Sequence, residues 1–308
     1  MAEMRDLYPT RKGTTPDIRS RQDPVVYSEW SEDAPLTRGE YESYRDNGFL
    51  FMPGLFKAEE LKSLLDESAR LRTDTSRLEP ETLVSEPDSG DVRSIFALHR
   101  QSDVMQSLAA DERLAGIAEF LLGEAVYIHQ SRLNYKPGFR GKEFYWHSDF
   151  ETWHAEDGMP RMRALSMSLL LTDNEPHNGP LMLVPGSHQT FVGTVGATPE
   201  DNYKSSLKAQ ETGVPDDENL ARLYERHGMS TPTGPAGSLL IFDCNTLHGS
   251  ASNISPLPRS NAFFVFNAVS NRLVAPFAAK EPRPEFIGAR RHTDVVTPTR
   301  RNAKPLAA

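Results

Sequence analysis

Apolar residues Leu61, Leu64, Leu65 and Ala69 recur at helical spacing, which predicts an amphipathic helix over 57–71. A shorter helix is expected over 37–47, followed beyond Gly48 by the apolar run Phe49, Leu50, Phe51 and Met52, a strand stopped by Pro53 and Gly54. A third helix is predicted over 103–122, ended by Gly123. Beyond it the pattern changes to short strands, over 125–135, 164–172, 181–184, 238–242 and 261–269. Turn signals such as Asn178, Gly179, Pro180 and Pro185, Gly186 separate them. Helices first and many short strands afterwards predict a mainly β fold with flanking helices, an antiparallel sandwich or jelly roll. The stretch 196–236, rich in Pro, Gly, Asp and Glu, is long for a structureless connection, and insertions of that kind serve as lids or mobile segments.

Residues 1–25 and 289–308 lack periodic apolar positions and read as flexible ends around a single domain over 26–288. No apolar run approaches the ~18 residues of a membrane helix, so no membrane partner is expected. The polar N-terminal stretch has no apolar block of a secretory signal, and Cys244 stands alone, which together suit the cytoplasm. A formal charge of -9 argues against a nucleic-acid partner, which would favour clustered Lys and Arg, and favours small ligands.

The chemistry concentrates in FYWHSDFETWHAEDGMPRMRALS, residues 144–166, where charged groups crowd among bulky aromatics. In a strand, His147 and Asp149 would face one side and present an imidazole and a carboxylate to one point. His248, beyond the strand 238–242 and its loop, completes a two-histidine, one-carboxylate set that suits a ferrous ion with open coordination positions. Arg259, eleven residues after His248, offers a fork that grips a carboxylate. Trp153, carried on the same segment as Asp149, is a candidate for attracting a cation to its indole face.

These four metal-site and anion-site residues, with the runs 178–181 and 184–188, resemble the phytanoyl-CoA dioxygenase superfamily of iron and 2-oxoglutarate oxygenases over about 37–285. Within it, the run 144–166 resembles the signature of the ectoine hydroxylases. The resemblance implies a double-stranded β-helix, a cupin-like jelly roll with the metal near its open end. It also implies Fe(II) held by His147, Asp149 and His248, with 2-oxoglutarate and O2 as cosubstrates. Succinate and CO2 would be released as L-ectoine becomes 5-hydroxyectoine. Related halogenases replace the carboxylate ligand with a small residue, so Asp149 favours hydroxylation.

By the same resemblance, Gln130, Thr152, Trp153, Phe266 and Arg283 contact ectoine, Lys136 joins Arg259 near 2-oxoglutarate, and the chain forms a homodimer. The metal and a zwitterionic substrate would then account for the charge in 144–166, with Glu143, Glu151, Glu156 and Asp157 a solvated rim or local ion pairs. His129, facing the opposite side of its strand from Gln130, reads as structural, and His154, His177 and His188 sit near turns where exposure is common. Two alternatives remain open: the same chemistry on another small zwitterion such as proline, and a non-catalytic cupin-like metal-binding sensor. Competition assays separate the first, and the complete ligand set with Arg259 weighs against the second.

Overall fold

Strand-forming runs with apolar residues on both faces need cover on both sides, and the chain supplies it with helices on one face of a large sheet and a second sheet opposite the other. The computed structural model describes residues 5–85, 90, 92–207 and 211–300. Among them run β1 (Ile18–Ser20), β2 (Phe49–Met52), β3 (Leu83–Ser85), β4 (Val92–Phe96), β5 (Val126–Lys136) and β6 (Phe144–His147). After these come β7 (Ala164–Leu170), β8 (Leu181–Leu183), β9 (Thr190–Val192), β10 (Leu239–Asp243), β11 (His248–Ser250) and β12 (Arg259–Ala268).

An antiparallel sheet in the order β2-β10-β7-β12-β5-β4-β3 stands opposite a smaller sheet, β6-β11-β8. This is the expected jelly-roll architecture. Alternation along β12 sorts its side chains: Ala262, Phe264, Phe266 and Ala268 join the main core. Helices Ala58–Thr73, Asp103–Ala109 and Ile117–Leu122 deliver Leu64, Met105 and Leu121 to that same core. Phe263 points the other way, against Leu183 of the small sheet together with Leu240 and Phe242.

The first two helices form near their predicted bounds. Thr37 and Glu40 make a reciprocal capping box at Arg38–Asn47, which ends at Gly48 with φ 78°. A Cβ there would come within 2.3 Å of His188, so glycine is required on two counts. The third helix is interrupted. Asp111 accepts from Arg113 N (3.0 Å), starting a new turn, and the chain resumes as Ile117–Leu122. In 196–236 the described residues are not structureless: Tyr203–Ser206 and Asp217–His227 are helical, and Leu223 packs with Val184, Val192 and Leu247.

The flexible ends require correction. Residues 1–4 and 301–308 lie outside the described residues, but the rest of both segments is built into the fold. β1 pairs with β9. Tyr8 is fully buried against Phe150 and Phe191 and donates to Asp23 (2.7 Å). Arg11 is buried and forked onto Glu151 (3.0 and 2.9 Å), with a further 2.7 Å bond to Glu156. At the other end Ala289 N donates to His129 O (3.0 Å), Val296 N to Val126 O (2.9 Å) and Thr299 N to Ala110 O (2.7 Å). Polar composition misleads here because a few anchors find buried partners distant in sequence. No helix of the described residues is long and apolar enough to cross a membrane.

Replacing Arg11 with Ala leaves Glu151 and Glu156 buried without their cation. Because the pair is almost wholly shielded from water, the expected loss is about 3–5 kcal/mol of unfolding free energy, measured by denaturant titration. A change under ~1 kcal/mol would show that the terminus merely rests on the domain.

Candidate active site

His147 ends β6, and the chain turns at Ser148 into the short helix Asp149–Thr152, continued by a wide turn over Trp153–Asp157. Ser148 caps that helix, accepting from Glu151 N (3.3 Å). His147 and Asp149 therefore do not share a strand face as expected; a strand-to-helix turn brings them together. His248 opens β11 directly opposite His147 in the ladder.

The three side chains converge in a buried cluster whose donor atoms lie within 4.8 Å of one another. Asp149 Oδ1 stands 3.6 Å from His147 Nε2 and 3.9 Å from His248 Nε2. Two donors each ~2.1 Å from one ion are at most about 4.2 Å apart, so both separations fit a shared metal. Backbone carbonyls fix both tautomers: His147 Nδ1 donates to Tyr145 O (2.8 Å) and His248 Nδ1 to Thr246 O (2.9 Å). Both Nε2 lone pairs are left for a ligand role. Burial, with His147 alongside, pushes His248 down to about 4, so it is neutral at physiological pH. Burial raises Asp149, but His248, His147 and Arg132 outweigh it and hold the carboxyl below its usual range. Ser166 Oγ donates to its second oxygen (3.1 Å).

His147 and His248 line a cleft of roughly 830 Å³, its open mouth included, between the two sheets. That size suits a small molecule. Its other charged lining is entirely cationic: Arg93, Arg132, Lys136, Lys142 and Arg259. Arg259 opens β12 opposite Lys136. It is buried, burial pushes its guanidinium down to about 10, and Nε and Nη1 have no hydrogen-bond partner among the described residues. A buried guanidinium with unpaired N–H groups suits a carboxylate. Lys136 lines the same cleft and donates to Ser250 Oγ (3.0 Å) and Ala251 O (2.6 Å).

The expected ectoine contacts fall elsewhere. Phe266 requires correction: it is wholly buried in the main core, and Phe263 lines the cleft instead. The signal was present, since Arg259, Asn261 and Phe263 share one face of a strand by simple alternation. Gln130, Thr152, Trp153 and Arg283 are buried and do not line the cleft. Gln130 is linked to it through Arg132 Nη1, which donates to its Oε1 (2.9 Å), while its own Nε2 donates to Ile287 O (2.8 Å). Trp153 N donates to Asp149 O, one helical turn earlier. Arg283 is not solvated: it forks onto Asp157 with bonds of 2.8 and 2.5 Å.

Glu151, Glu156 and Asp157 are buried, not a solvated rim, and arginines from both chain ends neutralise them. His154 and His188 are fully buried as well; His154 stacks on Phe277 at 4.0 Å, and His188 Nε2 donates to Arg45 O (3.0 Å). His129 was read onto the wrong side. A bulge pairs Val265 with Gln130 but Phe266 with Ile128, and the extra residue, His129, sits edge-on to Trp153 with ring centroids 5.1 Å apart.

Residues 44–261 match the family model of phytanoyl-CoA dioxygenase. The ectoine dioxygenase of Sphingopyxis alaskensis is 57% identical over 93% of this chain and 94% of its own. That of Halomonas elongata is 53% identical over 92% and 85%. Among solved structures, EctD from S. alaskensis with 2-oxoglutarate and 5-hydroxyectoine superposes with a TM-score of 0.89 at 51% identity, covering 98% of this chain and 100% of that one. The same protein with bound Fe gives 0.89 at 50% identity and the same coverage.

Asp149→Ala and His248→Ala are each expected to abolish binding of one ferrous ion per chain, read by calorimetry under anaerobic conditions. Trp153→Ala should retain it; equal loss in all three would contradict the separation of metal and substrate roles.

Proposed function

The chain belongs to the phytanoyl-CoA dioxygenase family, and within it we propose that it hydroxylates L-ectoine to 5-hydroxyectoine with Fe(II), 2-oxoglutarate and O2, releasing succinate and CO2. The reaction class is that of a 2-oxoglutarate-dependent dioxygenase. The observation that carries it is the His147, Asp149 and His248 cluster sharing one cleft with the unpaired guanidinium of Arg259. The choice of ectoine rests on relatives named ectoine dioxygenase at 50–57% identity over more than nine-tenths of the chain.

Two imidazoles and one carboxylate fit a ferrous ion and leave three positions open. When bound, iron supplies the activation of O2 that an organic side chain cannot. Each group of the chain then has a defined task. His147 and His248, locked by their carbonyl partners, direct Nε2 lone pairs inward. Arg259 takes the distal carboxylate of 2-oxoglutarate with its guanidinium, two of whose nitrogens are otherwise unpaired. Lys136 and the other cations of the cleft favour a dianion over neutral competitors. Trp153 offers its face to the amidinium of ectoine, a contact of ~0.5–2 kcal/mol. Its place one turn beyond Asp149 fixes the substrate relative to the metal ligands. Gln130, Thr152 and Arg283 complete the substrate surround, and Phe263 in place of Phe266 forms the apolar wall.

A homodimer in the cytoplasm completes the reading. Phe139, Ile254 and Leu257 are exposed on two loops joined by the Phe139 N to Ser255 O bond, and a second copy would cover them. The lone Cys244 is buried and unpaired, as suits a reducing compartment.

Protein reconstituted with Fe(II) is expected to form hydroxyectoine and succinate in equal amounts from ectoine, 2-oxoglutarate and O2. Proline in place of ectoine should give little product. Arg259→Gln should raise the 2-oxoglutarate KM by roughly tenfold or more while sparing that for ectoine. No hydroxylated product in aerobic assay ends the reading.

A further inference from the structure

His129 is 1% exposed, and neither ring nitrogen has a hydrogen-bond partner among the described residues. Its Nε2 lies 3.3 Å from Asp157 Oδ2 but out of line for a bond, and Asp157 already holds the fork of Arg283. Leaving Nδ1 unsatisfied in a buried setting is destabilising, and an apolar side chain of similar size would avoid the penalty. The β5 bulge breaks the alternation between His129 and Gln130, so that strict opposite facing does not hold for the two.

The carboxylate fixes the tautomer. Asp157 accepts, so a ring carrying one proton places it on Nε2, and a small rotation aligns it. Nδ1 is then a buried lone pair with no donor, beside the indole of Trp153. A ring carrying amidinium N–H groups provides the missing donor and the cation the indole attracts.

We propose that His129 is a substrate-binding residue whose Nδ1 accepts an N–H of the amidinium of ectoine, so that the enzyme reads that ring by a hydrogen bond as well as by charge. This rests on the function proposed above. It gives His129, Asp157 and Arg283 one joint purpose: the arginine anchors the acid, the acid orients the imidazole, and the imidazole receives the substrate.

The test compares the unsubstituted chain with His129→Leu, His129→Gln and His129→Asn, all loaded with Fe(II) and 2-oxoglutarate. KM and calorimetric Kd for ectoine, KM for 2-oxoglutarate and the ratio of succinate to hydroxyectoine are measured. His129→Leu should weaken ectoine by roughly ten- to a hundredfold. It should leave the 2-oxoglutarate KM within about twofold and release succinate in excess of product. Asn, whose side-chain carbonyl can occupy the place of Nδ1, should recover most of the loss. Gln, which reaches past it toward Asp157, should not, and its polar side chain keeps the comparison available where Leu does not fold. Unchanged ectoine affinity in Leu or Gln, or equal loss in Asn and Gln, overturns the proposal. If the unsubstituted chain neither binds nor hydroxylates ectoine, the functional reading falls and this inference with it, a result distinct from failure in the variants alone.

Discussion

Four carboxylates, Asp149, Glu151, Glu156 and Asp157, sit buried within one short helical segment, and the site depends on how each is neutralised. Desolvation alone would force them to take up protons. Arg11 counters Glu151 and Glu156, and Arg283 counters Asp157. For Glu151 and Asp157 the attraction prevails over burial and keeps the carboxyl below its usual range. Asp149 is different. It has no arginine in contact, only two imidazoles and the hydroxyl of Ser166. The chain thus supplies a cation to every acid of the segment except the one positioned to take a metal.

That division sets two polar environments on either side of the helical turn. The cleft presents cations and suits a dianion such as 2-oxoglutarate. Around Trp153 and His129, charges occur as the balanced Asp157 and Arg283 pair, with the neutral amide of Gln130 beside them. Such a neutral environment suits a zwitterion and disfavours a second dianion. Arg132 joins the halves, lining the cleft while donating to Gln130.

The sequence displayed the sheet wherever strands were long and apolar, as in β5, β7 and β12, and it displayed the metal cluster because its residue types are chemically restrictive. β3, β4, β6, β9 and β11 carry too few positions for a period to emerge and lack the apolar runs bounded by turn residues that mark the equally short β2, β8 and β10. The misplacement of His129 has another cause: one extra residue in β5 reverses the facing of everything beyond it, and nothing local to the sequence announces a bulge. Phe263 was readable from the position of Arg259, because alternation holds along that part of β12. The docking of Tyr8 and Arg11 was not, since it depends on Asp23, Phe150 and Glu151 being assembled first.

The stretch shared with the family, 44–261, contains the triad and Arg259 and therefore the general oxidation chemistry. Arg11 and Arg283 both lie outside it, yet they neutralise three of the four buried acids. Without the two flanks, the segment that carries Trp153 and Asp157 would hold uncompensated charge in an apolar setting and could not keep its position beside Asp149. The proposed substrate side is thus assembled from both ends of the chain onto a jelly-roll frame whose metal ligands the frame itself arranges. In that arrangement substrates can diverge through the flanks and the helical segment while the ferrous chemistry stays with the sheets.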